Sequence, residues 1–410
     1  THTLSLHDAL PISHFGEPGP PIGFLQETLR WWDFWLKDKE TGINNEPMIR
    51  AWMQESVPPS TSYKERPGYW VGLKSWPSEI VSDRTFSLAP GKLLEHKEPT
   101  GSHVVTIQSP LRLGLFAGKW CSYNAPPDLP GDQREEDGGA LVFDSDPLQN
   151  DLEIIGAPHA HFYVRADKPV AMIAVRLADI APDGKATRVT YGILNLTHYR
   201  DHEHPDMLKP NAEYQVRIRL NDIAHQFPRG HRIRVAVSTS YWPLAWPSPE
   251  MATLSVCLQK SRFVLPAMRK KGIQDIQFKP AECAKPVTQQ RTLHTPNYQW
   301  NVIRDLIRDQ STLHVIKDEG AVVLEDINLL MQRYTEEKYS VRNDDLDTLE
   351  AETCGKTILQ RNNWKIETRT RTVLTCDPSY FYLHATLDAF EGDERLFAKN
   401  WQKSIKRDHV

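Results

Sequence analysis

The chain has 410 residues, of which 40% are hydrophobic and 25% charged, enough for two or three globular domains with their own cores. Its 49 basic and 53 acidic residues give a net charge of −4 and form no basic stripe, so we expect no nucleic acid partner. Apolar runs stay well short of the roughly 20 residues that cross a bilayer, and we expect no membrane partner. The five cysteines include no C-x-x-C pair, which argues against a disulfide framework or zinc knuckle and favours a reducing cytoplasm.

The first residues differ in kind from the rest of the chain. The segment from Thr3 to Ile12 is the peptide that a common sequencing adapter encodes in one reading frame, and we interpret residues 1–12 as that artefact. The alternative is a natural apolar N-terminus or a signal peptide. However, no basic region precedes the segment and no small-residue cleavage site follows it. The genuine chain is then expected to begin near Ser13, in the middle of a gene.

Helical periodicity follows between Phe24 and Lys37. Apolar and polar residues alternate there at the spacing of an amphipathic helix. Gly23 precedes this segment and Thr41-Gly42 follows it, as expected for helix ends. The Trp-rich face requires a partner. Such a face ordinarily packs against a protein core, and stacking against a ligand is the alternative.

Between residues 46 and 266 the period changes to two, which indicates half-buried antiparallel strands separated by turns. The strand candidates are Tyr214 to Leu220, His231 to Val237, His161 to Val164, Ala171 to Leu177 and Arg188 to Leu196. Many short strands without helices predict a sandwich or jelly roll. We expect its core to include Val216, Ile218, Ile233, Val235 and Val237.

The remaining residues carry weaker signals. Residues 267–300 are rich in basic residues and proline with little periodicity, and are interpreted as a linker. Residues 301–410 are interpreted as a β-rich extension, added to the sandwich or forming a small appendage. Its strand candidates are Ala321 to Leu324, Trp364 to Glu367, Arg371 to Thr375 and Phe381 to Leu387.

Three groups of residues have the composition of a binding or metal site. The segment His198 to Asp206 holds three histidines and three acids, enough donors for a metal, but a solvated loop is the expected interpretation. His159 and His161 share one face of a strand, where a packed or solvated pair is ordinary. The loop Tyr241 to Pro247 carries two tryptophans, which predict either a pocket wall or interface or the sealed end of the sandwich.

The run Pro18 to Glu27 followed by Leu29 to Asp33 resembles the last helix of the hydrolase domain in the cocaine esterase / X-prolyl dipeptidyl-peptidase family. The resemblance continues almost to the end of the chain through Glu46-Pro47, Arg50, Trp52-Met53, Arg66 to Gly68, Trp76-Pro77, Phe143 to Ser145, Leu152 to Pro158, Val175 to Asp179, Pro182 to Gly184, Gly192 to Asn195, Gly230 to Arg232, Tyr241 to Pro243, Trp246 to Glu250, Trp364, Phe397 and Trp401.

This resemblance implies a mostly β chain. A C-terminal jelly-roll β-sandwich of the galactose-binding type would be preceded by the terminal helix of a truncated α/β-hydrolase domain. The expected divisions are the hydrolase remnant (13–45), the jelly roll (46–266), the linker (267–300) and the β-rich extension (301–410). The expected partners are the missing upstream α/β-hydrolase domain and a small ester, amide or peptide substrate.

The chemistry implied by the resemblance is that of a serine hydrolase working through an acyl-enzyme. No serine here is followed two positions later by glycine, so the nucleophile elbow has no candidate. The resemblance places the family's base at Leu10, and His14 matches the second histidine of that motif. His14 is interpreted as an exposed loop residue, and a base in a shifted register is the alternative. We therefore predict an inactive fragment with no catalytic, cofactor-binding or metal-binding residues, which supports the shape and stability of the substrate cleft.

A rival interpretation is a free-standing β-sandwich that binds a carbohydrate, since jelly rolls also occur as lectins. The Trp-rich helix discriminates between the two. A stand-alone module has no need of it, whereas a severed hydrolase must carry it.

Overall fold

A computed structural model of the chain describes residues 22–95, 101–119, 127–279, 282 and 288–410. The segment interpreted as an adapter artefact, residues 1–12, lies outside the described residues, as does His14. Helix α1 spans Phe24–Lys37, as predicted, and ends where Asp38 adopts a left-handed conformation, before the Thr41-Gly42 pair. A second, four-residue helix α2 covers Arg134–Asp137. Within the described residues, no helix is both long and apolar enough to span a membrane.

In the described part of the chain the first sheet has fifteen strands, and all but two of its strand pairings are antiparallel. Its strands are β1 (Ile49–Gln54), β2 (Gly68–Leu73), β3 (Val81–Ala89), β4 (Lys92–Glu95), β5 (Val104–Ile107), β6 (Leu141–Asp144), β7 (Leu152–Gly156), β8 (His159–Ala166), β9 (Met172–Ile180), β10 (Ala186–Asn195), β11 (Tyr214–Arg219), β12 (Ile223–Phe227), β13 (Arg232–Ser238), β14 (Leu254–Cys257) and β15 (Arg262–Met268).

One hydrophobic core joins groups of strands that are not direct neighbours in this sheet. Strands β9 and β13 pair with each other, while β8 pairs with β11 and β14, and inward side chains of both groups pack into a single cluster. All five predicted core residues are buried, as the alternation indicated: Val216, Ile218, Ile233, Val235 and Val237. The jelly-roll assignment itself stays a prediction.

The second sheet has eight antiparallel strands among the described residues, most of them much longer than those of the first sheet. They are β16 (Gln290–His294), β17 (Asn297–Asp305), β18 (Gln310–Leu324), β19 (Leu329–Arg342), β20 (Asp345–Arg361), β21 (Trp364–Cys376), β22 (Tyr380–Glu391) and β23 (Glu394–Lys406). Asn343 and Asp344, in the turn from β19 to β20, both adopt positive φ, which suits short polar side chains.

Two expectations about this region need correction. Residues 267–300 are not an irregular linker throughout, because β16 and the start of β17 lie within them. The two predicted runs Trp364 to Glu367 and Arg371 to Thr375 are one continuous strand, β21. The signal of β16 is weak because all its residues are exposed, and the alternation in β21 is interrupted by the exposed polar residues 369–371.

The two sheets contact each other through the loop Tyr241 to Pro247. Trp242 is fully buried and packs with Leu111 and Leu115 against Leu313, Val315, Val341 and Leu349 of the second sheet. Its ring meets that of Tyr339 edge-on at 6.1 Å. The second sheet is thus anchored to the first by an apolar cluster.

Candidate functional site

Helix α1 presents its apolar side chains to solvent, and no residue in it is buried. Trp32 is 50% exposed, Trp35 55% and Leu36 71%. We call the whole set the α1 apolar surface; it comprises Phe24, Leu25, Leu29, Trp31, Trp32, Trp35 and Leu36. A surface helix of a globular domain ordinarily turns its apolar stripe towards the core. Here that stripe is uncovered.

The contacts that attach α1 to the chain beyond it are charged. The carboxylate of Glu27 accepts hydrogen bonds from Arg30 at 2.6 Å and from Arg50 of β1 at 3.0 Å. Arg30 also donates two hydrogen bonds to Glu46, at 2.7 and 2.8 Å. Burial acts to raise the pKa of Glu27, but the two arginines outweigh it and hold the pKa below its ordinary value. The helix therefore inverts the usual amphipathic arrangement, with charges inward and aromatic rings outward.

A groove of about 280 Å³ borders the α1 apolar surface and is lined by Phe24, Trp31, Ile43 and the Glu27–Arg50 pair. The Arg50 guanidinium also stacks over Phe278, 4.4 Å from the ring centre. Apolar walls beside a satisfied ion pair form a surface that another domain can cover without leaving a buried charge unpaired.

A second candidate is a buried cluster of ionisable groups around Asp179 of β9. Nδ1 of His231 lies 2.8 Å from Oδ1 of Asp179, and because the ionised carboxylate only accepts, the imidazole donates. Nε2 of His225 lies 3.4 Å from the other carboxylate oxygen, in a geometry too poor for a hydrogen bond. Asp179 is 2% exposed and His225 1%.

Strand pairing explains how distant residues meet here. Asp179 lies opposite Ile233 of β13, two residues after His231, and His225 of β12 lies opposite Gln54 of β1. A cavity of about 250 Å³ opens beside them, lined among others by Ser56, Pro58, Asp179, Lys185, Thr187 and His231.

Burial and polar contacts together shift the pKa values of the cluster. Burial lowers the pKa of His225, and the neighbouring carboxylate opposes this only in part. For Asp179, burial acts to raise the pKa, but contacts with His225, Ser56 and His231 outweigh it and keep the pKa below its ordinary value. Burial also lowers the pKa of Arg66, which interacts with Asp179.

The structure does not gather the histidine-rich segments into a site. In His198 to Asp206, the Asp201 carboxylate accepts backbone hydrogen bonds from Glu203 and His204 in an exposed loop. His159 and His161 meet edge-on at 4.8 Å, and burial lowers the pKa of both. In the described part of the chain, no group of three His, Cys, Asp or Glu residues could hold a metal ion.

The tryptophan loop forms an interface and not a pocket wall. Besides the contacts of Trp242, Nε1 of Trp246 donates to Sγ of Cys376 at 3.2 Å, and its ring meets Phe381 edge-on at 5.7 Å. Both partners belong to the second sheet. Sequence reasoning left interface and sealed end open, and the packing selects the interface.

Sequence reasoning missed the Asp179 cluster. Asp179 and His231 are 52 residues apart, and each lies in a separate segment of the family resemblance. No local spacing pairs them. The available signal of a buried polar contact was the carboxylate of Asp179 inside β9, a strand that is apolar apart from Asp179 and Arg176.

Comparison with known proteins gives a family match over well over half of the chain. Residues 41–303 match the family described as "X-Pro dipeptidyl-peptidase C-terminal non-catalytic domain". The chain is 28% identical over 116 residues to cocaine esterase from Rhodococcus sp. (strain MB1 Bresler), which covers 28% of this chain and 20% of the esterase. It is 23% identical over 216 residues to a Bacillus anthracis protein named as an Xaa-Pro dipeptidyl-peptidase, covering 52% of this chain and 32% of that protein.

Among solved structures, an aminopeptidase from the marine sediment archaeon Thaumarchaeota archaeon has a TM-score of 0.47 at 20% identity. The likeness covers 59% of this chain and 44% of the aminopeptidase. It is too low to add to the assignment, which depends on the family match. The chain spans about a fifth to a third of the length of the curated relatives that it matches.

Proposed function

Because the chain belongs to the family of X-Pro dipeptidyl-peptidase C-terminal non-catalytic domains, we propose that it is the non-catalytic part of a serine hydrolase. The whole protein would cleave small esters, amides or X-Pro peptides through an acyl-enzyme. An upstream α/β-hydrolase domain would supply the nucleophile, base and oxyanion hole. In this chain no serine is followed two positions later by glycine, so the usual elbow for such a nucleophile is absent.

The observation that carries this proposal is the α1 apolar surface. In our proposal α1 is the terminal helix of the hydrolase domain, and its aromatic side packs against the upstream part of that domain. Burying a large apolar side chain contributes about 1.5 to 3 kcal/mol. Seven such side chains at roughly half exposure leave on the order of 5 to 10 kcal/mol of burial unrealised, far more than a stable isolated surface ordinarily forfeits.

Residues 46–266 would then form a jelly roll that packs beside the hydrolase domain and helps to wall its substrate cleft. Two observations support this arrangement. The antiparallel strands share one core, and α1 is attached by charged contacts to Glu46 and to Arg50 of β1. In this role the chain shapes substrate choice and contributes stability, while bond cleavage takes place elsewhere.

The direct test is reaction of the purified chain with a fluorophosphonate probe, beside turnover assays with a p-nitrophenyl ester and an X-Pro chromogenic peptide. We expect neither labelling nor turnover, while an authentic serine hydrolase labels fully as the positive control. Stoichiometric labelling of one serine would overturn the proposal.

Ser56 is the serine whose labelling is tested separately, because it lies next to Asp179 and His231 at the cavity. A Ser56→Ala variant shows whether any labelling comes from that position. Saturable glycan binding by a chain that starts at Glu46 would instead favour the carbohydrate-binding module.

A further inference from the structure

The Asp179 cluster draws its groups from five separate parts of the first sheet. Asp179 belongs to β9 and His225 to β12, while His231 immediately precedes β13. Arg66 precedes β2, and Ser56 follows β1. Thr187 of β10 strengthens the connection, since its hydroxyl donates a hydrogen bond of 2.7 Å to the carbonyl of Val57.

The two fully charged groups inside this cluster are of opposite sign, and His231, which is partly exposed, is the further titratable group against the Asp179 carboxylate. Arg66 contributes one positive charge and Asp179 one negative charge, and a neutral His225 adds none. Asp183 and Lys185, in the turn from β9 to β10, face the cavity and pair with each other at 3.0 Å. The exposed Asp183–Lys185 pair therefore adds no net charge.

Three buried polar atoms lack a hydrogen-bond partner among the described residues: Arg66 Nε, Asp179 Oδ2 and His225 Nε2. Buried polar atoms without partners are costly. Of these three residues Asp179 lines the adjoining cavity, so an opening of the cluster on that side would admit water towards these atoms.

We propose that the Asp179 cluster is a proton-sensitive tie: it holds residues 55–59 and the β9–β10 turn against β12 and β13 at neutral pH, and acidification releases them and opens the cavity. This inference is independent of the proposed hydrolase function. It concerns a conformational device within the β-rich domain itself.

The reason is that a proton on His225 adds a second positive charge beside Arg66 where water is excluded. An open arrangement hydrates that charge, so protons bind more readily to the open state. The pKa of His225, which burial lowers, agrees with this direction. Because an accessible histidine titrates near 6.5, the closed state loses stability as the pH falls below about that value.

The test is hydrogen–deuterium exchange of the full chain at about pH 7.5 and about pH 5, corrected for the intrinsic exchange rate at each pH. Peptides covering residues 55–59 and 181–187 should lose protection about tenfold or more at the lower pH, while those from β20 stay unchanged. His225→Gln keeps a side-chain N–H but cannot gain a charge, so its protection should not depend on pH in this range.

His103→Gln is the matched control, because His103 is exposed and outside the cluster; it should behave like the unmodified chain. Equal loss in His225→Gln, uniform loss over both sheets, or no loss at all would overturn the proposal. If His225→Gln does not fold, exchange at the imidazole C2 position in the unmodified chain decides. The pKa of His225 should lie below about 6.5, the ordinary value of an accessible histidine, and a pKa at that ordinary value would contradict the tie.

Discussion

Replacing Trp242 by alanine tests whether the loop Tyr241 to Pro247 holds the two sheets together. Trp242 is 0% exposed, among the largest fully buried side chains of the described residues. Truncation of a buried tryptophan ordinarily costs about 3 to 5 kcal/mol. The lost edge-on contact with Tyr339 at 6.1 Å accounts for about 0.5 to 1.5 kcal/mol of that. We expect a loss of about 4 kcal/mol in the free energy of unfolding.

A milder substitution separates packing from hydrogen bonding. The indole N–H of Trp242 is buried without a partner among the described residues, and such a donor costs about 1 to 3 kcal/mol. Trp242→Phe keeps an aromatic ring and removes that donor. It should therefore change the free energy of unfolding by no more than about 1 kcal/mol.

Urea unfolding followed by far-ultraviolet circular dichroism measures both variants. Trp242→Ala should also broaden or split the transition, because the second sheet loses its anchor to the first. Ile307→Ala is the control, since Ile307 is 97% exposed and should stay within about 0.5 kcal/mol. If Trp242→Ala unfolds within 1 kcal/mol of the unmodified chain, the interface is not the anchor that its packing indicates.

Three further changes follow from buried or paired charges. Glu136→Gln should cost about 1 to 3 kcal/mol in urea unfolding, because both carboxylate oxygens accept backbone N–H groups, of Gly114 and Phe116, each at 2.7 Å; no measurable loss would contradict this. Arg50→Ala should change global stability by only about 1 kcal/mol, yet speed proteolysis of residues 22–45, and unchanged cleavage would argue against charged attachment of α1. Asp179→Asn should flatten the decline in thermal stability below about pH 4. Because the pKa of Asp179 is lowered in the folded chain, its ionised carboxylate stabilises the fold above the unfolded pKa, and this contribution is lost as the pH falls. An equally steep decline in the variant would refute that role.

The elements predicted well from sequence are those in which one face is apolar and the opposite face is polar. In β11, Val216 and Ile218 are buried while their neighbours Gln215 and Arg217 are exposed, so period-two alternation was visible. The bounds of α1 were equally clear, because its apolar positions keep helical spacing. Both signals are local and need no knowledge of the partner surface.

What could not be predicted depends on long-range contacts or on unusual exposure. Every residue of β16 is exposed, so no hydrophobic pattern marks it as a strand. The role of the charged side of α1 could not be predicted, because it depends on the contact between Glu27 and Arg50, which are 23 residues apart. The Asp179 cluster likewise exists only because β9, β12 and β13 meet in the folded sheet.

The measurement that tests the interdomain role of α1 most directly is the association state of the chain in solution. We compare the full chain, a chain starting at Glu46, and a Trp32→Ser/Trp35→Ser double variant by sedimentation velocity and by a dye that binds exposed apolar surface. Ile307→Ser serves as the control, because it alters an exposed apolar residue remote from α1 in sequence. The full chain and the control should self-associate and bind dye, and both α1 changes should yield a monomer with little dye binding. Unchanged association after either α1 change would contradict an interdomain role for this helix.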